Sequence, residues 1–209
     1  MKDDLDEDYY SDLEEIVNNA MEQVSDRTGE YLHNLDELGD KRPDEDTLLK
    51  IIDNVPSSLS YEDRYGDIPI NSAVQVKESV QYVPLLAKQG VKHNVGGNNA
   101  RGGLIGDFNL LEELANMGGN SESCVLYLDV MKKLRESKLL LKEDIQDHNL
   151  LYCACYPETP MRFEYFADWC PEGLKTHQFD GLPLIHAIIE YDSIELFSMF
   201  LKTALRYHP

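Results

Sequence analysis

Apolar residues recur every three or four positions along most of the chain, and this spacing predicts amphipathic helices. The clearest runs are Val80, Val83 and Ala87; Leu126, Val130 and Leu134; Phe163, Phe166 and Trp169; and Ile194, Phe197, Phe200, Leu201 and Leu205. Each run follows a shorter apolar segment and a polar turn. The pattern therefore predicts four helical hairpins, each with one buried stripe on its second helix, and we interpret the aromatic residues as core.

The last hairpin has the most specific sequence. Asp180 and Gly181 predict a tight turn, and the apolar residues 184–189 that follow predict a short helix. Three further copies of the frame begin upstream, at Gly66, Asp107 and Asp147. A hairpin this short cannot bury its own apolar face, so we expect the copies to stack on one another.

The last hairpin resembles an ankyrin repeat, which opens with Asp-Gly, starts its first helix with Thr-Pro-Leu-His and closes its second with Leu-Leu. The matching residues are Asp180-Gly181 at the turn, Ile185-His186 at Leu-His, Glu195 at the Glu position, and Phe200-Leu201 at Leu-Leu. Two positions depart from the pattern in the first hairpin, where Ile68 replaces the Thr and Asn71 replaces the His.

Residues 47–209 are more closely similar to divergent ankyrin-like repeat proteins that are abundant in diatoms. The segments that carry this resemblance are residues 56–63, 66–74 and 182–188. The resemblance implies a scaffold or recognition module that binds proteins and has no chemistry of its own.

We therefore expect an all-α fold, an ankyrin-like solenoid of about four irregular helical hairpins with an acidic N-terminal segment. The expected parts are a half repeat at residues 47–60 and repeats at about 65–95, 106–138, 146–176 and 180–209. The repeat starts are 41, 40 and 34 residues apart, against roughly 33 for an ankyrin unit. The first two repeats therefore carry insertions.

The glycine-rich residues 96–106 form one of these insertions. They lack the Gly-Lys-Ser or Gly-Lys-Thr of a phosphate-binding loop, so a nucleotide site is not expected there. We interpret them as an extended finger between repeats, in which glycine and asparagine adopt positive φ angles.

The formal net charge of −20 is concentrated at the N-terminus. Residues 1–46 contain 17 Asp and Glu against 4 Lys and Arg, a net charge of −13, whereas residues 47–209 contain 22 against 15, a net charge of −7. Ser11 and Glu14 have the form of a capping box, and the apolar spacing that follows predicts a helix over about residues 11–25. The rest of this segment is expected to be flexible.

This charge distribution excludes several classes of partner. Binding to nucleic acid or to an anionic membrane depends on Lys and Arg, so neither is expected. Residues 1–4 begin neither a signal peptide nor a transit peptide, and no apolar run approaches the roughly 20 residues of a membrane-spanning helix. We expect a cytoplasmic or nuclear protein whose cysteines are free thiols.

Cysteine and histidine residues in the third hairpin and just after it raise the question of a metal site. The residues concerned are Cys153, Cys155, Cys170, His148 and His177. Structural zinc sites usually present Cys-x2-Cys pairs, and the spacing here is Cys-x-Cys. We interpret the cysteines as small core residues and His186 as a packing residue, so no catalytic, cofactor-binding or metal-binding residue is expected.

Three hypotheses for function follow. The first is a non-catalytic protein-binding scaffold whose acidic face selects a partner with a basic patch. The second is a regulatory module whose acidic N-terminal helix gates the binding groove, and the third is a Cys/His metal protein or enzyme. The last hairpin, without a polar unit beyond it, also suggests self-association through its apolar face.

Overall fold

The structure is a computed structural model that describes residues 4–96, 101–106, 108–118, 121–155, 160–176, 178–179, 182–190 and 193–207. The longer helices of this part are α1 Asp4–His33, α2 Glu45–Asn54, α3 Pro69–Gln75, α4 Val83–His93, α5 Leu110–Asn116, α6 Ser121–Glu136, α9 Pro160–Trp169, α11 Leu184–Glu190 and α12 Ile194–Tyr207. Four-residue helices lie at α7 Asp144–Asp147, α8 Leu150–Cys153 and α10 Gly173–Thr176, and 3-10 turns at Gly39–Lys41, Pro56–Ser60 and Val80–Tyr82. The predicted all-α fold is confirmed.

The helices lie in two rows. In the first row α1 contacts α3, α3 contacts α5, α5 contacts α8 and α8 contacts α11. In the second row α2, α4, α6, α9 and α12 follow one another in the same way. Contacts between the rows join α3 to α4, α5 to α6, α8 to α9 and α11 to α12, so the four pairs fall within the four predicted hairpins.

A continuous cluster of buried side chains extends along the rows from Leu32 to Phe200. Phe163 and Phe166 on α9 are fully buried, as their spacing predicts. Tyr127 on α6 is also buried, and its hydroxyl donates a 2.9 Å hydrogen bond to the carbonyl oxygen of Val74 on α3. Neighbouring hairpins are thus joined both by apolar burial and by a hydrogen bond whose two partners are shielded from water.

The stripe predicted on the last helix is only partly buried. Phe200 of α12 packs into the core of the protein. The exposed fractions of Ile194, Phe197, Leu201 and Leu205 are 81, 39, 43 and 57%. The prediction of one buried stripe was therefore wrong for this helix. Its apolar residues lie on two faces, and periodicity alone does not separate an inward face from an outward one.

Helix α1 is longer than the segment 11–25 proposed from the sequence. It continues from Asp4 to His33, so Ser11 lies inside the helix and does not cap it. The C-terminal end of α1 packs on α3 and on the 3-10 turn before it. Leu32 near the end of α1 and Leu35 in the turn just after it are fully buried.

Polar contacts and a close approach hold α1 in this position. His33 Nε2 donates to the carbonyl oxygen of Tyr61 at 3.2 Å, and His33 Nδ1 is hydrogen-bonded to the hydroxyl of Ser72 at 2.7 Å. Gly29 lies directly against Tyr61, because a Cβ atom at Gly29 would be only 2.2 Å from the Tyr61 Cβ. A larger residue at this point would push α1 away from the stack.

The glycine-rich insertion differs from the extended finger that we expected. Its described part is residues 96 and 101–106, and it lies tightly against α4, because a Cβ atom on Gly102 would clash with the carbonyl oxygen of Ala87. Leu104 is fully buried, and Arg101 pairs with Asp144 at the start of α7. The glycines serve close packing here, and residues 97–100 lie outside the described part.

A short hairpin precedes the last pair of helices. Strand β1 at Gln178–Phe179 pairs antiparallel with β2 at Leu182–Pro183, with Phe179 opposite Leu182. The predicted turn residues Asp180 and Gly181 stand between the strands in the sequence and lie outside the described residues. Helix α11 follows β2 directly.

Candidate functional site

The turn that leads into α3 forms one wall of a cleft. Asp63 Oδ1 accepts hydrogen bonds from the backbone N–H groups of Tyr65 at 2.8 Å and Asp67 at 3.0 Å. Gly66 has a φ of +83°, which favours glycine. Tyr65 is 73% exposed at this turn, and the guanidinium of Arg64 lies 4.6 Å from its ring centroid.

The chain that follows α4 forms the opposite wall. Asn94 ends α4 in the left-handed conformation, and the next residue, Val95, donates to the carbonyl oxygen of Gly90 at 2.9 Å. The backbone N–H of Gly96 then donates to Ser60 Oγ at 2.8 Å, which joins this wall to the 3-10 turn at Pro56–Ser60. Both ends of the wall are fixed by hydrogen bonds, so its shape is preformed.

Between the walls lies a cavity of 360 Å³. Ile68 and Val95 give it an apolar floor, and Phe108, which is 59% exposed, stands at its rim. Glu62 and Asn71 contribute polar groups, and none of the described residues that line it is Lys or Arg. The volume is at the small end of the range of about 300 to 1,000 Å³ for ligand sites and suits a side chain of a partner.

Glu62 is the acidic residue among those that line the cavity, and further carboxylates lie in the adjoining turn and on α5. Asn71 is buried and its Nδ2 donates to Asp67 Oδ1 at 3.0 Å, which orients that carboxylate. Burial, and then the charge of Asp67, raise the pKa of Glu113 on α5 above its ordinary value. Burial also acts on Asp63, but its two backbone hydrogen bonds outweigh this effect and lower the pKa. The charges of Asp67 and Glu113 repel each other next to the cleft, and neither residue is among those that line the cavity.

The histidine position of the ankyrin-like pattern lies elsewhere. His186 is on α11, and its side chain is outside the described part of the structure. In the first hairpin Asn71 stands at this position, and its bond to Asp67 ties the first turn of α3 to the preceding turn. At this position Asn71 has a structural role.

The cysteines proposed as core residues are all free thiols. Cys155 and Cys170 are buried, and Cys155 Sγ donates to the carbonyl oxygen of Leu151 at 3.1 Å. Cys153 is partly buried, and burial raises its pKa to about 12, so its thiolate is scarce at neutral pH. Among the residues with a described position, no group of three or more His, Cys, Asp and Glu is arranged to hold a metal ion, and His177 is not among them.

Two exposed aromatic residues, Phe108 at the cavity and Tyr65 on the adjoining turn, were not identified from the sequence. Tyr65 precedes a glycine in a tight turn, and Phe108 follows the glycine-rich insertion. Both residues therefore lie outside the helices, to which the periodic apolar pattern applies. Aromatic residues close to glycine in connecting segments could have indicated exposed aromatic side chains, because loops lie on the surface. Periodicity places residues on helices and carries no information about these two.

Comparison of the chain with protein-family models, with curated proteins and with solved structures finds no match. The functional interpretation therefore depends on the residues and on their arrangement. No helix within the described ranges is both long and apolar enough to cross a membrane.

Proposed function

We propose that the protein is a non-catalytic recognition module of ankyrin-like repeats that binds another protein through the cleft between Gly66 and Phe108. The observation that carries this proposal is the exposed aromatic residue Phe108 and the carboxylate of Glu62 in the cavity lining, with a second exposed aromatic residue, Tyr65, on the adjoining turn. Tyrosine and other aromatic residues at a pocket are frequent anchors of protein interfaces. The two rows of helices support the ankyrin-like part of the proposal.

The partner presents a basic side chain flanked by apolar surface. Glu62 at the cavity, with Asp67 and Glu113 beside it, attracts a Lys or Arg, and the apolar floor accommodates the methylene stem of that side chain. The overall charge of −20 also speeds the approach of a basic protein. Charge thus selects the partner, and the aromatic residues supply the buried contact area.

The proposal is tested by capture from a lysate of the source organism. The full chain and the variant Tyr65→Ala/Phe108→Ala serve as baits at about 50 and 300 mM salt, because surface electrostatics weaken as the Debye length shortens. We expect a basic protein whose recovery falls by at least about tenfold with the variant, as for loss of interface anchors. Recovery of the same protein should also fall at the higher salt concentration.

The matched control is Val125→Ala on α6, which also removes exposed apolar surface but lies outside the cleft. This variant should capture the partner as well as the parent chain does. Equal capture by the cleft variant and the parent would contradict the proposal. An equally strong interaction at both salt concentrations would contradict the role of charge.

Within the described part of α1, the buried contacts do not favour the regulatory hypothesis. Leu32 and Leu35 are fully buried against the first hairpin, and His33 bonds to two residues of that region. A gate made from α1 would have to expose these side chains each time it opened. We therefore propose the binding function without a gating step.

A further inference from the structure

Helix α12 has two apolar faces, and the core covers only one of them. Leu196 and Phe200 pack inward. The exposed residues Ile194, Phe197, Leu201 and Leu205 form a second stripe, called here the α12 stripe. At ~100° per residue, this stripe lies about 140° around the helix from the packed face. The stripe runs along most of the helix, so it is a continuous surface and not a set of isolated apolar residues.

Charged residues along one side of the α12 stripe are arranged by sign. Glu195 is near the start of the helix, and Lys202 and Arg206 are near its end. At ~100° per residue, all three lie on the same flank of the stripe. When two such helices meet in antiparallel orientation, the acidic start of each flank faces the basic end of the other.

We propose that two copies of the chain associate through their α12 stripes as an antiparallel, two-fold symmetric helix pair. In this arrangement Glu195 of each copy faces Lys202 of the other, and the apolar residues of both stripes become buried. A parallel two-fold pair would instead turn the charged flanks of the two copies to opposite sides of the contact, so Glu195 and Lys202 would not meet. The sign order of the flank therefore selects the antiparallel pair.

The exposed stripe of α1 is a different surface. Its apolar residues are Ile16, Val17, Met21 and Val24, and they are also exposed. Helix α1 contains ten Asp and Glu against one Arg, so two copies of this helix repel one another in either orientation. The order of charge along α12 therefore allows two copies of this helix to pair, whereas the acidic charge of α1 excludes a pair of α1 helices.

The symmetry has two consequences. A two-fold contact uses the same patch on both copies and closes, so association stops at the dimer. One helix face per copy is smaller than the roughly 800 Å² per partner of a standard interface, so we expect dissociation in the micromolar range. The cleft between Gly66 and Phe108 belongs to the first hairpins and remains available in each copy.

Sedimentation velocity of the purified full chain between about 1 and 100 µM tests the dimer. We expect a reversible monomer–dimer equilibrium that Leu201→Asp weakens by at least about tenfold, since the variant buries a charge in the interface. Ile16→Asp makes the same kind of change on α1 and should leave the dissociation constant unchanged. Far-UV circular dichroism shows whether each variant keeps the helical content of the parent chain.

Substitutions that reverse the charges of Glu195 and Lys202 identify the surface that α12 contacts. This test does not require the Leu201 variant to be folded. Glu195→Lys and Lys202→Glu should each weaken the dimer by about fivefold, and the double variant should restore it, because the coupling between paired charges is then recovered. A stronger association with Glu195→Lys would overturn the proposal, since α12 would then be contacting an acidic surface such as α1. A chain that is monomeric throughout the range, or a double variant that stays weak, would also overturn it.

Discussion

The two ends of the helical stack expose apolar stripes of similar length, but the two stripes differ in their charged neighbours. The α1 stripe lies among acidic residues, and the charge of its helix is almost entirely of one sign. The α12 stripe has an acidic start and a basic end on one flank. Exposed apolar area alone therefore does not identify the self-association surface. The order of charge along the helix decides which surface can pair with itself.

The two ends also differ in how they are attached. At the N-terminal end, α1 is held by Leu32, Leu35 and the hydrogen bonds of His33. At the C-terminal end, α12 packs through Leu196 and Phe200, and the hydroxyl of Tyr207 donates to Asp168 Oδ1 at 2.5 Å. Substitutions at the two ends should therefore change stability by different amounts, depending on whether they remove buried side chains or surface hydrogen bonds.

The largest effect is expected from Leu35→Ala. Leu35 is fully buried, so removing its side chain leaves a cavity and should lower the free energy of unfolding by about 2 to 5 kcal/mol. Leu201→Ala on the exposed stripe should change it by less than about 0.5 kcal/mol when the chain is dilute and monomeric. Urea denaturation gives the free energy of unfolding of both variants. Equal losses would show that the turn after α1 is not anchored in the core.

A smaller loss is expected from Gly29→Ala. The added Cβ collides with Tyr61, so the free energy of unfolding should fall by about 1 to 3 kcal/mol despite the better helix propensity of alanine. Hydrogen exchange should become faster in the C-terminal turns of α1. Gly106→Ala is the control, because a Cβ atom at Gly106 meets nothing within 4 Å and its φ is not positive. An unchanged exchange rate in α1 would refute the close approach.

A pH-dependent effect is expected at the N-terminal end from Asp53→Asn. The hydrogen bond from Lys92, and then that from His93, lower the pKa of Asp53 below its ordinary value of 3.8. Its contribution to stability is therefore present above that value and is lost as the pH falls through the lower pKa of the folded state. The stability of the parent and the variant should differ at pH 6 and converge in acid. A constant difference would show that the Asp53 carboxylate is not the cause.

The smallest effect, with the opposite pH dependence, is expected at the C-terminal end from Tyr207→Phe. The hydrogen bond to Asp168, and then burial, raise the pKa of Tyr207 above its ordinary value of 10.0. Its contribution is present below that value and is lost as the pH rises through the raised pKa of the folded state. The melting temperatures of the parent and Tyr207→Phe should differ near pH 8 and converge in strong alkali. Convergence in acid instead would contradict the assignment.

The middle of the stack follows from the sequence more completely than its ends. Phe163 and Phe166 are fully buried because a helix with neighbours on both sides of its row has a stripe that the neighbours cover. The spacing of α12 looks the same, but the last described helix has a neighbour on one side only. Periodicity shows that a residue belongs to an apolar face and does not show whether a neighbour is present.

The length and attachment of α1 were not predictable in the same way. Residues 25–30 contain no apolar side chain, and they include Gly29. Both features are typical of the end of a helix. The helix continues because Gly29 lets it approach Tyr61, a contact that depends on residues far apart in the chain. The cleft depends likewise on tertiary contacts, such as that of Gly96 with Ser60, and sequence spacing does not encode them.

The neighbour-to-neighbour contacts of the two rows have a consequence for folding. Each helix pair touches the pairs next to it in the chain, so the loops that must close are short and cost little entropy. Order can start in the fully buried middle hairpins and spread outward one pair at a time. The two ends are then the last to form and the first to open, and these are the regions where a second molecule would add most to the lifetime of the folded chain.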